Sequence, residues 1–150
     1  MADYYNKHKH YEQTLNIAQE QLQSKSLHNA DYLARCAAYY EIHDYDSCIV
    51  NAKNLIAIDS TNVEAHYYIG ASYIQKAEQV VMPQNTSTRN YNKALAQRRA
   101  LFAKAEPELE QFRRMAPQSQ NLWAPLLYRV YLELNRGDKF AEIEKLLKKF

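Results

Sequence analysis

The chain repeats itself every 34 residues. Tyr5, Tyr39 and Tyr73 fall 34 apart, as do Ala2, Cys36 and Gly70, and so do Tyr11 and Tyr45. A fixed period of this length constrains the fold more than any local propensity does. Each copy is one supersecondary unit that buries its apolar face only by stacking on the next. The best-formed copy runs from 29 to 62. Tyr32, Arg35, Cys36 and Tyr39 lie at helical spacing in its first half, and Cys48 and Ala52 stand four apart in its second. The pattern predicts a helix A over 30–42, a turn at His43-Asp44 and a helix B over 45–58 with Asp46 in its first turn. Asp59-Ser60-Thr61-Asn62 then offers capping side chains to the next helix.

Composition agrees with stacked helices. Two Gly and four Pro provide too few turns for a sheet-rich fold, and no phosphate-cradling glycine loop is present. Tyr occurs 13 times, a side chain that packs its ring while keeping its hydroxyl wet, which suits a thin stack with few fully dry positions. A net charge of +2 on 24% charged residues is too balanced to imply nucleic acid. No apolar run approaches the roughly 18 residues of a membrane span.

Four units follow in order. Residues 1–28 form a partial repeat: a helix tail over 2–9 carrying Ala2 and Tyr5, then a helix over 11–23 with Tyr11, Thr14, Leu15, Ala18 and Leu22 on one face. Repeat 29–62 is complete. Repeat 63–120 carries His66, Ile69, Gly70 and Tyr73 on its helix A and then departs from the period. Tyr39 to Cys48 spans 9 residues, whereas Tyr73 to Ala105 spans 32, so 23 residues are inserted. The insert predicts helix through Met82, a loop over 83–87 and helix again from Thr88, a projecting antiparallel hairpin in which each helix overruns the stack by roughly 14 Å. Pro107 predicts a kink near 103–107, and Pro117 ends that helix. The last unit, 121–150, has a helix over about 121–135 with Ala124, Leu127, Tyr128 and Tyr131, and Pro125 near its first turn. A final helix from 138 buries Phe140, Ile143 and Leu147 and turns Lys139, Glu142, Lys145, Lys148 and Lys149 outward as a cap.

The pattern of a large residue, a small residue and an aromatic on one helix and a small residue on the next, in Tyr32, Cys36, Tyr39, Cys48, Ala52 and Ser60, resembles the tetratricopeptide repeat (TPR). The stretch from Leu101 to Lys149 is also similar to a group of bacterial TPR proteins, common in the Bacteroidetes, whose penultimate repeat has elongated helices and a proline in the second. The resemblance implies an all-α, right-handed superhelix and a non-catalytic scaffold or adaptor that binds a protein or peptide on the inner face of its A helices. Carried onto this chain, the groove positions are Leu33, Ala37, Tyr40 and Glu41. In the next repeat they are Glu64, Tyr67, Ala71, Ile74 and Gln75, and in the last Arg129, Leu132 and Glu133. Asp3, Asn6 and Lys7 come from the partial repeat. The carboxylate clamp of TPR co-chaperones is not implied, because the matching positions, Leu33, Ala34, Ala37, Tyr68 and Leu126, lack the basic and amide donors. Val80, Val81 and Met82 sit near the expected hairpin tip, either as an exposed contact or folded back onto Tyr91 and Leu95.

The remaining chemistry is sparse. Cys36 and Cys48 occupy slots where two helices approach most closely, either as buried thiols or, in an oxidising compartment, as a disulfide. Neither belongs to a CxxC pair. His8 and His10 point to different helix faces, His43 shares a turn with Asp44 and Asp46, and His66 stands at a packing position. No local catalytic motif is present, so the expectation is no enzyme, no cofactor and no metal. Arg89, Lys93, Arg98, Arg99, Lys104, Arg113 and Arg114 read as a solvated face paired with Glu106, Glu108 and Glu110. Opening midway through a helix A leaves Leu15, Ala18 and Leu22 poorly covered. Self-association through that face is the alternative to a scaffold. The same opening leaves the compartment undetermined: cytoplasmic as written, periplasmic or surface if an upstream leader was removed.

Overall fold

The computed structural model describes residues 17–148, with side chains described from His28 onward. Regular structure among these residues is entirely helical: α1 (Ile17–Glu41), α2 (Tyr45–Ile58), α3 (Val63–Glu78), α4 (Thr88–Met115), a 3-10 turn (Pro117–Ser119), α5 (Gln120–Glu133) and α6 (Gly137–Leu147). The fold is all-α. Three starts are set by side-chain caps: Asp44 accepts from the Ser47 amide, Asn62 from Ala65 and Ser87 from Asn90. His43 and Asn135 take left-handed φ values of 64° and 55° just past α1 and α5, where the chain must reverse.

Each helix packs on the next, and α1 also touches α3, as α3 touches α5. The shared core runs through Cys36, Leu55, Ile69, Leu109, Leu127 and Ile143, one or more from every helix. Helices α3 and α4 approach closely at Gly70. A Cβ added at Gly70 would lie 2.5 Å from Leu109 Cγ and 2.6 Å from its Cδ2, so only glycine lets the two helices close this far. Along the same seam His66 Nδ1 meets Glu108 Oε2 at 2.7 Å, and Arg98 reaches the Ala77 carbonyl oxygen at 3.5 Å.

Three expectations are corrected. The helices expected over 11–23 and 30–42 do not end and restart at 24–29: α1 is continuous from Ile17 to Glu41, because residues 24–29 contain neither Gly nor Pro to interrupt the ladder. The inserted segment is not a symmetric hairpin either. Helix α3 stops at Glu78, not Met82. Val80 and Val81 are β-branched, and Pro83 disfavours helical backbone at Met82. Helix α4 does start at Thr88, and its 28 residues against 16 in α3 leave it alone beyond the seam. With Arg98 opposite Ala77, about nine residues of α4 overhang, roughly 14 Å of single helix at 1.5 Å per residue. Pro125 lies in the second turn of α5, not the first. Helix α4 runs through Pro107 to Met115, and Ala116-Pro117 then ends it.

The charges of α4 also pair differently from expectation. Glu110 meets Lys139 and Arg113 meets Glu142, two bridges from α4 to α6, and Glu106 meets Arg136, the residue just before α6. Arg98 pairs with Glu133 at 2.9 Å while lying over the Phe102 ring, and Arg113 lies over Trp123 at 4.6 Å. Lys139 and Glu142 are thus bound to α4 instead of forming a free outer face.

Gly70→Ala is expected to destabilise the fold. The overpacking cost of about 1–3 kcal/mol exceeds the gain in helix propensity of about 1 kcal/mol. Leu109→Ala alone is expected to cost about 2–5 kcal/mol. In the Leu109→Ala background, Gly70→Ala becomes neutral or stabilising. Urea unfolding of the four-member cycle reads this coupling directly.

Candidate partner-binding groove

Helices α1 and α3 carry Tyr40 and Tyr67-Tyr68 to one continuous line of rings. Tyr40 stands edge-on to Tyr45 at 5.4 Å and to Tyr68 at 5.8 Å. Tyr68 meets Tyr67 at 5.4 Å, and Tyr67 meets Phe112 of α4 at 5.6 Å. These separations lie within the favoured range for edge-to-face aromatic pairs. The line ends in a groove of about 460 Å³ between the first turn of α3 and the junction of α4 with α5. Glu64, Tyr67, Tyr68, Phe112, Met115 and Leu122 are among the residues that line it. Burial first, then the neighbouring Tyr67 and Tyr45, push the Tyr40 phenol up to about 12. Burial likewise raises Tyr68.

The positions carried over from the resemblance divide into two sets. Tyr40, Glu64 and Tyr67 belong to the ring line or its groove, while Leu33, Ala37 and Gln75 are half-buried and Glu41 is exposed. Ala71 and Ile74 are corrected: each is only 2% exposed and fills the core, leaving no surface for a partner. Arg129 and Glu133 are not free either, being paired with Glu78 and Arg98, whereas Leu132 remains half-exposed. Asp3, Asn6, Lys7 and Leu15, with the side chains of Ala18 and Leu22, lie outside the described residues. Tyr68, Phe112, Met115 and Leu122 were not among the expected groove positions. Phe112 is recoverable only by adding the 23-residue insert to the period, which places it on Leu55. Leu122 carries no local signal.

The other expected features settle into structural roles. Val80, Val81 and Met82 lie in the α3–α4 connection, not on a helical tip. Val81 is 82% exposed, and a shallow depression beside it is lined by Val80, Gln97 and Leu101. Cys36 and Cys48 are both buried free thiols, with no disulfide between them. Cys36 Sγ points to the Cys48 carbonyl oxygen at 3.7 Å, and its contact with Cys48, together with burial, raises its pKa far above the ordinary thiol range. His43 Nδ1 meets the Tyr45 hydroxyl at 2.7 Å while Asp44 caps α2, so that turn is occupied by its own hydrogen bonds. Among the described residues no helix is long and apolar enough to cross a membrane.

Comparison with protein-family models, with characterised proteins and with solved structures finds no match for this chain.

The raised Tyr40 value fixes the sign of an alkaline effect. A phenol that ionises near 10 unfolded and near 12 folded stabilises the fold fully below pH 10, and this contribution is lost as pH rises from 10 through 12. Thermal melts across pH 9 to 12 are expected to show Tyr40→Phe losing less stability than the parent chain over that window.

Proposed function

We propose that the chain is a TPR-like solenoid acting as a non-catalytic interaction scaffold. It binds a protein or peptide segment along the face shared by α1 and α3. The observation that carries this reading is the unbroken ring line from Tyr40 to Phe112 opening into the groove at Glu64 and Leu122. Rigid aromatic side chains give large contact area at low entropic cost, which is why they anchor interfaces. The 34-residue period and the contacts of α1 with α3 and of α3 with α5 support the stacked architecture. The overhanging start of α4 and the connection at Val81 are the alternative surface of the same scaffold.

A photo-crosslinkable residue placed at Leu122, at Val81 or at Val50 tests this. Val50 is 57% exposed on α2 and serves as the outer-face control. A partner that crosslinks from 122 but not from 50 is the expected result. Capture from Val81 alone moves the interface to the α3–α4 connection. Equal capture from all three positions, or none, refutes a defined groove. Tyr67→Ala together with Tyr68→Ala is expected to weaken the captured partner at least tenfold, the loss of about 1.4 kcal/mol or more that interface aromatics carry.

A further inference from the structure

The groove at the start of α3 is chemically one-sided. Tyr67, Tyr68, Phe112, Met115 and Leu122 make its apolar walls, Gln118 and Ser119 add neutral polar groups, and among the described residues lining it Glu64 is the one charged group. Glu64 is exposed, and no described cation pairs with it. The cations of α4 and α5 that form bridges are engaged with other carboxylates: Arg98 with Glu133, Arg113 with Glu142 and Arg129 with Glu78. So a chain of net charge +2 presents a negative, aromatic recess here.

That combination selects its occupant. An anion would meet Glu64 with like charge. A purely apolar side chain would cover the carboxylate and strip its water without replacing it. A cation gains from both elements at once, the carboxylate and the ring quadrupoles. Lysine and arginine add an alkyl stem that lies along apolar walls while the head stays polar. We propose that the groove seats a Lys or Arg side chain of an extended peptide. The stem runs along Met115 and Leu122, and the cationic head lies between Glu64 and the Tyr67 and Tyr68 rings. This rests on the groove reading above and adds the chemistry of the partner.

Three end-blocked peptides test it: SGLRLRLGS, its neutral counterpart SGLQLQLGS and its acidic counterpart SGLELELGS. Each is titrated by calorimetry into the full chain and into Glu64→Gln and Glu64→Lys variants. Glu64 is exposed, so both variants are expected to melt within a few degrees of the parent. The arginine peptide is expected to bind the parent about fivefold more tightly than the neutral one. That preference is expected to vanish in Glu64→Gln, to pass to the acidic peptide in Glu64→Lys and to shrink as salt rises. Equal binding of the arginine and neutral peptides to parent and Glu64→Gln overturns the charge rule. If Leu122→Asp abolishes that binding, the groove itself survives as a docking site. No binding by any peptide overturns the cation proposal. If crosslinks from 122 are also absent, the groove reading falls with it. A partner crosslinked at 122 through a segment lacking Lys and Arg, or a second copy of the chain found there by sedimentation, overturns it as well.

Discussion

The closeness of Gly70 to Leu109 is the constraint on which the stack depends. Helices α3 and α4 pack extensively on each other, and their separation at Gly70 is set by a missing Cβ. The period makes the reason visible. Where the preceding repeat has Cys36 facing the slots of Cys48 and Ala52, this one has Gly70 facing those of Ala105 and Leu109. The large side chain has moved from one helix to the other, and the glycine answers it. Close-packed interiors tolerate such exchanges of volume but not the sum of two large residues. His66 and Glu108 lie one turn along the same seam, so its register is held by a polar contact beside an apolar lock.

Because that seam is tight, the chain can carry its long insert without losing alignment. Most of the insert lengthens α4, from the 14 residues of α2 to 28, and the rest goes into the end of α3 and the connection at 79–87. That connection follows the side of α4, with Val80 near Gln97 and Leu101. The start of α4 is largely polar, with Thr88, Arg89, Asn90 and Lys93 beside one exposed ring, Tyr91.

Element type was legible throughout, and some boundaries were legible to the residue. Helix α2 spans 45–58 as expected, with Asp44 capping its start and Asp59 following its end. The boundaries that failed lacked comparable punctuation. Residues 24–29 resembled a repeat junction by period alone, but nothing in them stops a helix. At Val80 and Val81 the reverse held: an apolar run looked helical while its β-branching and the following Met82-Pro83 argued for extended chain. For the groove, Tyr40, Glu64 and Tyr67 were implied by the resemblance, and they lie on the ring line or in its groove. Ala71 and Ile74 do not, because a one-turn position on a helix flanked by neighbours on both sides says little about which flank covers it. Phe112 was hidden by the insert, and Leu122 by its place after the 3-10 turn.

Helix α4 has a consequence for how the molecule comes apart. In a stack whose units touch only their neighbours, an end can melt while the rest stands, and stability adds up unit by unit. Here one 28-residue helix packs on α3 and α5 and reaches α6 through Glu110 and Arg113, and the N-cap residue of α6 through Glu106. Opening α6 releases charges on α4, and opening α4 strips the Gly70 seam and the Arg98 bridge together. The C-terminal half is therefore coupled beyond nearest neighbours, while α1 and α2 join it through α3.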